Sequence, residues 1–181
     1  DVLPEYTTVV SPSQTVFNFL SRKWPSPNLR WCAWDPYIPQ QHKVQPSHRP
    51  DRLTAVIDGF SATRLGPRLF YILEVLLERN PNLEISLVFY RQWRQRAIEA
   101  MSELQRKAGA RLKIHRKPSR DARLRLMASA DWVFWPSVCE NTCHFGLESI
   151  TMGTPVIAFG APPLLDVFSN CYNAKLLSCD I

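Results

Sequence analysis

No apolar run in this sequence approaches the ~20 residues that a membrane-spanning helix needs. The opening stretch, Asp1-Val2-Leu3-Pro4-Glu5, lacks the basic and apolar regions of a secretory signal. The expectation is a chain without a membrane span in an intracellular setting, cytoplasmic or organellar, processed or cut from something longer because it opens at Asp1. Cysteine is sparse and odd in number: Cys32, Cys139, Cys143, Cys171 and Cys179 are irregularly spaced. That pattern argues against a disulfide framework and fits reduced thiols. Acidic residues are the minority, 16 against 22 Lys plus Arg, for a formal net charge of +6. The excess permits an anionic partner without demanding one. Internal repeats and low-complexity tracts are missing too, which excludes an array. What remains is ordinary for a globular protein: 45% hydrophobic and 21% charged residues in 181, enough for one domain, or for one lobe and part of another.

The chain divides near Pro50. Before it, Tyr6–Val10 reads as a short strand, Ser13 as the N-cap of a helix over Gln14–Arg22, and Asn28–Ala33 as a second strand. Residues 35–50 are rich in Pro, Gln and His without an apolar period, the pattern of a linker. After Arg52 strands and helices alternate. Strands are expected at Leu53–Ile57, Leu83–Tyr90, Leu112–Ile114, Trp132–Trp135, Pro155–Phe159 and Ala174–Leu177. Helices are expected at Gly66–Arg79, Gln92–Ala108 and Arg120–Ser129, with a fourth ending near Met152. This rhythm predicts an α/β fold, a Rossmann-like parallel sheet with helices on both faces.

Such sheets bind ligands beyond the carboxyl ends of their strands, so the segment after Trp132–Trp135 is the place to look for chemistry. It holds two carboxylates eight residues apart, Glu140 in a loop and Glu148 in the following helix. Ionised carboxylates accept hydrogen bonds from vicinal hydroxyls, which suits a polyhydroxyl ligand. The plainer reading makes them a solvated loop residue and a carboxylate favoured by a helix dipole. Cys139, Cys143 and His144 do not make a structural zinc site, which needs a fourth ligand at supporting spacing. Cys143 and His144 are sequence neighbours, an arrangement that seldom makes a nucleophile pair. The cations from Arg91 to Arg111 read as a solvated helix face; joined with Lys113, Arg116, Lys117, Arg120, Arg123 and Arg125 they also allow a phosphate-binding patch. Trp132 and Trp135 are expected to pack the sheet, whereas Trp24, Trp31 and Trp34, in the poorly periodic N-terminal part, could instead mark a partner surface.

The same segment resembles the donor-binding motif of retaining GT-B glycosyltransferases, the glycosyltransferase group 1 family. The family pattern, in one-letter code, is P-S-x-x-E-x7-E-A-x-x-x-G-x-P-V-I-A. It is matched at Pro136, Ser137, Glu140, Glu148, Gly153, Pro155, Val156, Ile157 and Ala158, with Ser149 in place of Ala. Leu126–Asp131 also resembles the family's helix end before that strand. The resemblance implies that residues 51–181 are the nucleotide-sugar-binding C-terminal lobe, and that 1–50 are a remnant of the N-terminal lobe with its linker. It implies retaining transfer of a sugar from a nucleotide diphosphate donor, with no cofactor and no metal. Glu140 would be the catalytic-side carboxylate on the donor sugar and Glu148 the ribose contact. Arg64 and the amides near Phe145 and Gly146 would face the phosphates. The partners implied are the donor and a missing N-terminal lobe or partner chain, and the isolated chain is expected to be inactive.

The departures support a rival class. The family holds its diphosphate with an Arg and a Lys in G-R-x-x-x-x-K-G, and Phe60 and Leu65 occupy those positions here. The second strand ends Phe89-Tyr90-Arg91-Gln92 where a G-x-G-like turn is expected, and Asn141-Thr142-Cys143 stands where the family has G-F-G. Two lost cations remove charge-assisted bonds worth about 1.5–3 kcal/mol each. The alternative is a catalytically inactive glycosyltransferase-like subunit of a large protein or RNA-containing assembly.

Overall fold

The computed structural model describes residues 9–11, 14–23, 25, 28–31, 51–59, 67–90, 95–137, 144–160, 164–165, 168 and 172–178. Near the start, β1 (Val9–Ser11) and β2 (Leu29–Trp31) pair in parallel, joined by α1 (Gln14–Lys23). The expected strand residues Tyr6–Thr8, the Ser13 cap and the linker at 35–50 lie outside the described residues. The α1 helix buries none of its residues fully, and Phe19 on it is 56% exposed.

The second part alternates as its apolar spacing predicts. Its elements are β3 (Leu53–Asp58), α2 (Pro67–Arg79), β4 (Leu83–Phe89), α3 (Gln95–Ala108), β5 (Leu112–Arg116), α4 (Arg120–Ala128), β6 (Trp132–Trp135), α5 (His144–Thr151), β7 (Val156–Phe159) and β8 (Ala174–Leu177). The six strands from β3 onward form one parallel sheet in the order β5-β4-β3-β6-β7-β8. Side chains alternate between faces along a strand, and two separate cores result. On one face Ala55, Ile57, Ile85, Leu87 and Phe134 pack with Leu69, Leu73 and Leu77 of α2 and with Met101 and Leu104 of α3. On the other, Val56, Val88, Val133, Trp135, Val156 and Ala158 pack with Leu124 and Met127 of α4 and with Phe145 of α5. Covering on both faces accounts for the nearly continuous apolar strands. Trp135 and the half-buried Trp132 do pack the sheet, as expected. Trp24 and Trp34 and the side chain of Trp31 lie outside what is described.

Local chemistry sets the ends of α4 and α5. The Ser119 hydroxyl caps α4 by accepting from the Ala122 amide at 3.2 Å. At the end of α5, Gly153 takes φ +84°, the left-handed conformation that favours glycine. The Gly153 amide donates to the Ile150 carbonyl at 2.9 Å and the Thr154 amide to that of Ser149 at 3.0 Å, a Schellman closure. The Thr154 hydroxyl then donates to the Met127 carbonyl at 2.7 Å, tying α5 to α4. A second clasp joins the strands themselves. Asp131, just before β6, accepts from the Thr54 amide at 2.7 Å and the Thr54 hydroxyl at 2.9 Å.

Candidate functional site

The order in which successive strands are added to the sheet reverses between β3 and β6. From there β4 and β5 extend one way and β7 and β8 the other. The carboxyl ends of the two central strands therefore flank the crevice where open α/β sheets take their ligands. Asp58 ends β3 with 4% exposure, and Ser137 follows β6 fully buried. Asp58 pairs in register with Val88 and alternates with Val56, so it faces the α4 and α5 layer.

Two arginines of that layer meet at Glu148. It sits on α5, is 4% exposed, and both carboxylate oxygens are bound by arginines of α4. Arg120 donates from Nε to Oε1 at 3.0 Å, and Arg123 donates from Nη2 to Oε2. Residues three apart share a helix face, which lets both arginines reach one carboxylate. A buried carboxylate without such partners would be costly, since removing one side of a buried pair costs about 3–5 kcal/mol. Arg123 also donates from Nη1 to the Tyr90 hydroxyl at 2.8 Å, and its guanidinium carbon lies 5.6 Å from that ring's centroid. Burial raises the Tyr90 pKa; the Arg123 charge and hydrogen bond pull the other way, and Glu148 and Asp58 add to the rise. Two buried N–H donors in this layer, Arg123 Nε and Trp135 Nε1, have no acceptor among the described residues.

Of the residues singled out in the sequence, Glu148 stands at the carboxyl side of the sheet in this cluster. The Phe145 side chain lies in the core with 8% exposure. Gly146 is a packing glycine: a Cβ there would meet Phe168 Cζ at 2.5 Å and Trp135 Cε3 at 2.9 Å. Only the backbone of these two positions, in the first turn of α5, is left to meet a ligand. Glu140 and Arg64 lie outside the described residues, as do Phe60, Leu65 and Asn141–Cys143. Among the described residues no group of three or more His, Cys, Asp or Glu side chains is arranged to hold a metal ion. No helix among them is long and apolar enough to cross a membrane.

The basic stretch is divided among separate jobs. Arg111 donates to the Leu77 and Asn80 carbonyls, Lys113 pairs with Glu84 at 3.4 Å, and Arg120 and Arg123 are taken by Glu148. On α3, Arg106 and Lys107 pair with Glu103 and Glu74 on an exposed surface. Sequence reasoning missed the Arg120–Glu148–Arg123–Tyr90 network. The one available signal was the Arg120-x-x-Arg123 spacing behind the Ser119 cap, and it does not name the acceptor.

No family model matches the chain, and no curated protein matches it in sequence. Solved structures do match in fold. HepE of Anabaena, crystallised with UDP, superposes with TM-score 0.75 at 17% identity over 96% of this chain and 50% of its own. WaaG, a glycosyltransferase involved in lipopolysaccharide biosynthesis, gives 0.73 at 15% over 95% and 49%. TarM gives 0.75 at 12% over 97% and 34%. The fold is thus that of the Rossmann-like lobe of GT-B glycosyltransferases. The chain spans about half the length of the first two structures or less of the third.

Proposed function

We propose that this chain is the nucleotide-sugar-binding lobe of a retaining glycosyltransferase, completed by an N-terminal lobe or a partner chain. The observation that carries the reading is Glu148. A buried, doubly braced carboxylate stands on the first helix after β6, beside the switch point of a GT-B lobe. HepE, of the same fold, has been crystallised with UDP and with UDP-glucose. In this reading Glu148 accepts from the ribose hydroxyls and Glu140 from those of the donor sugar. Arg64 and the first-turn amides of α5 near Phe145 and Gly146 face the diphosphate. The bond from the anomeric carbon to the diphosphate breaks, the acceptor hydroxyl oxygen bonds to that carbon on the same face, and its proton leaves with the diphosphate. Cations and helix amides take the charge left on the diphosphate, so the scheme needs no metal or cofactor. Acceptor positioning belongs to the other lobe, and the isolated chain is expected to transfer no sugar.

The test is titration calorimetry of UDP and other nucleoside diphosphates against the wild type and Glu148→Gln. The expected result is binding by the wild type and a loss of about tenfold or more in the variant, the worth of one charge-assisted hydrogen bond. A second reading, the inactive structural subunit, is favoured by one observation: both Glu148 oxygens already have arginine partners. A wild-type chain that binds no nucleoside diphosphate would decide for it.

A further inference from the structure

We propose that Arg123 is a positioning residue for Glu148, holding its carboxylate where the ribose hydroxyls of a nucleoside diphosphate meet it, with the Tyr90 hydroxyl as the brace. The inference rests on the nucleotide reading above and extends it to two residues outside the family motif.

A glutamate side chain has three rotatable bonds, so its direction is set by what it touches. Glu148 touches two arginines, and they are not equivalent. The Arg120 side chain is 47% exposed, whereas that of Arg123 is 17% exposed. The more buried arginine is less screened by solvent and less free to move. Arg123 is also fixed at both ends of its fork, with Nη2 on Glu148 and Nη1 on Tyr90 at 2.8 Å, while its guanidinium lies by the Tyr90 ring. A planar guanidinium with two anchored nitrogens has one orientation, and the carboxylate inherits it. An ionised carboxylate offers about four lone-pair sites. The two arginine contacts leave acceptor capacity on both oxygens for vicinal hydroxyls. Tyr90 immediately follows β4 at the same carboxyl edge, and burial favours its protonated form. The brace therefore stays a neutral hydroxyl at physiological pH. A lysine at 123 would keep the charge but, as a point donor, would not hold carboxylate and phenol in one plane.

The experiment compares UDP with 2′-deoxy-UDP by titration calorimetry, using the full chain as wild type, Glu148→Gln, Arg123→Lys and Tyr90→Phe. The readout is the ratio of the two affinities, which isolates the ribose hydroxyl. The wild type should favour UDP by about tenfold, and Glu148→Gln should bring the ratio near one. Arg123→Lys should reduce the ratio by about fivefold and Tyr90→Phe by about twofold to threefold, with melting temperatures recorded alongside. Should Arg123→Lys fail to fold, Tyr90→Phe carries the test, because it removes a single hydroxyl. An arginine with a merely structural role would weaken both ligands alike and leave the ratio unchanged, which overturns the proposal. A flat ratio in Glu148→Gln with unchanged ratios in Arg123→Lys and Tyr90→Phe would sink this inference and spare the nucleotide reading. A wild type that binds neither ligand, or a Glu148→Gln variant that keeps its preference, would remove both.

Discussion

His115 shows what a single residue contributes through its surroundings. It lies on β5, half-buried, with Nε2 3.3 Å from the Ser86 hydroxyl oxygen. Burial, with a smaller push from the Lys113 charge, lowers its pKa from the ordinary value of 6.5. The folded chain therefore binds its proton less readily than the unfolded chain does. The unfolded state takes up more protons as the medium is acidified, and stability falls with it. The His115 contribution is whole above pH 6.5 and is lost as pH drops through the lowered folded value. The melting temperature of the wild type should then fall more steeply between neutral pH and about pH 5 than that of His115→Asn. Parallel slopes in the two proteins would show that burial of this ring has no energetic weight.

At the scale of elements, the seating of α5 depends on a missing side chain. The helix approaches the sheet so closely at Gly146 that an added methyl would fall 2.5 Å from the Phe168 ring and 2.9 Å from Trp135. Those rings meet edge to face, with centroids 6.1 Å apart, and both are fully buried. Gly146→Ala should therefore destabilise the chain by about 1–3 kcal/mol, the cost of overpacking, despite alanine's better helix propensity. Denaturant unfolding would measure it, and Phe168→Leu added to Gly146→Ala should recover part of the loss. Most elements were legible beforehand because their apolar spacing is local. The expected Trp132–Trp135 and Ala174–Leu177 strands are the observed ones, and the other boundaries that fall on described residues moved by one or two residues. Helix α3 runs over Gln95–Ala108, its expected start at Gln92 lying outside the described residues, and β5 runs on to Arg116. The site was only half legible. Glu148 stood out through its motif, but its partners lie 25 and 28 residues away, and Tyr90 lies 33 from Arg123. Such contacts depend on how α4 crosses α5 and where β4 stops, which no local period encodes. The clasp between Thr54 and Asp131, 77 residues apart, was hidden for the same reason.

For the whole molecule, the described residues of both hydrophobic cores lie between Ala55 and Leu176, and none of them comes from α1. A fragment of residues 51–181 should consequently melt cooperatively, with a midpoint within a few degrees of the full chain. Circular dichroism melts of the two would check this, and a fragment that melts without cooperativity would return the first 50 residues to the core of the fold. The ends of the large sheet raise a different question, namely how copies of the chain treat one another. Among the described strands β5 pairs only with β4, so its outer rim is the side on which another strand could add. Exposed Lys113 and Arg116 lie along it, with Lys117 just beyond. Two molecules approaching rim to rim would confront these like charges before any backbone bond formed. Crowding at low salt should thus leave them apart, and the repulsion between them should fade as salt is added.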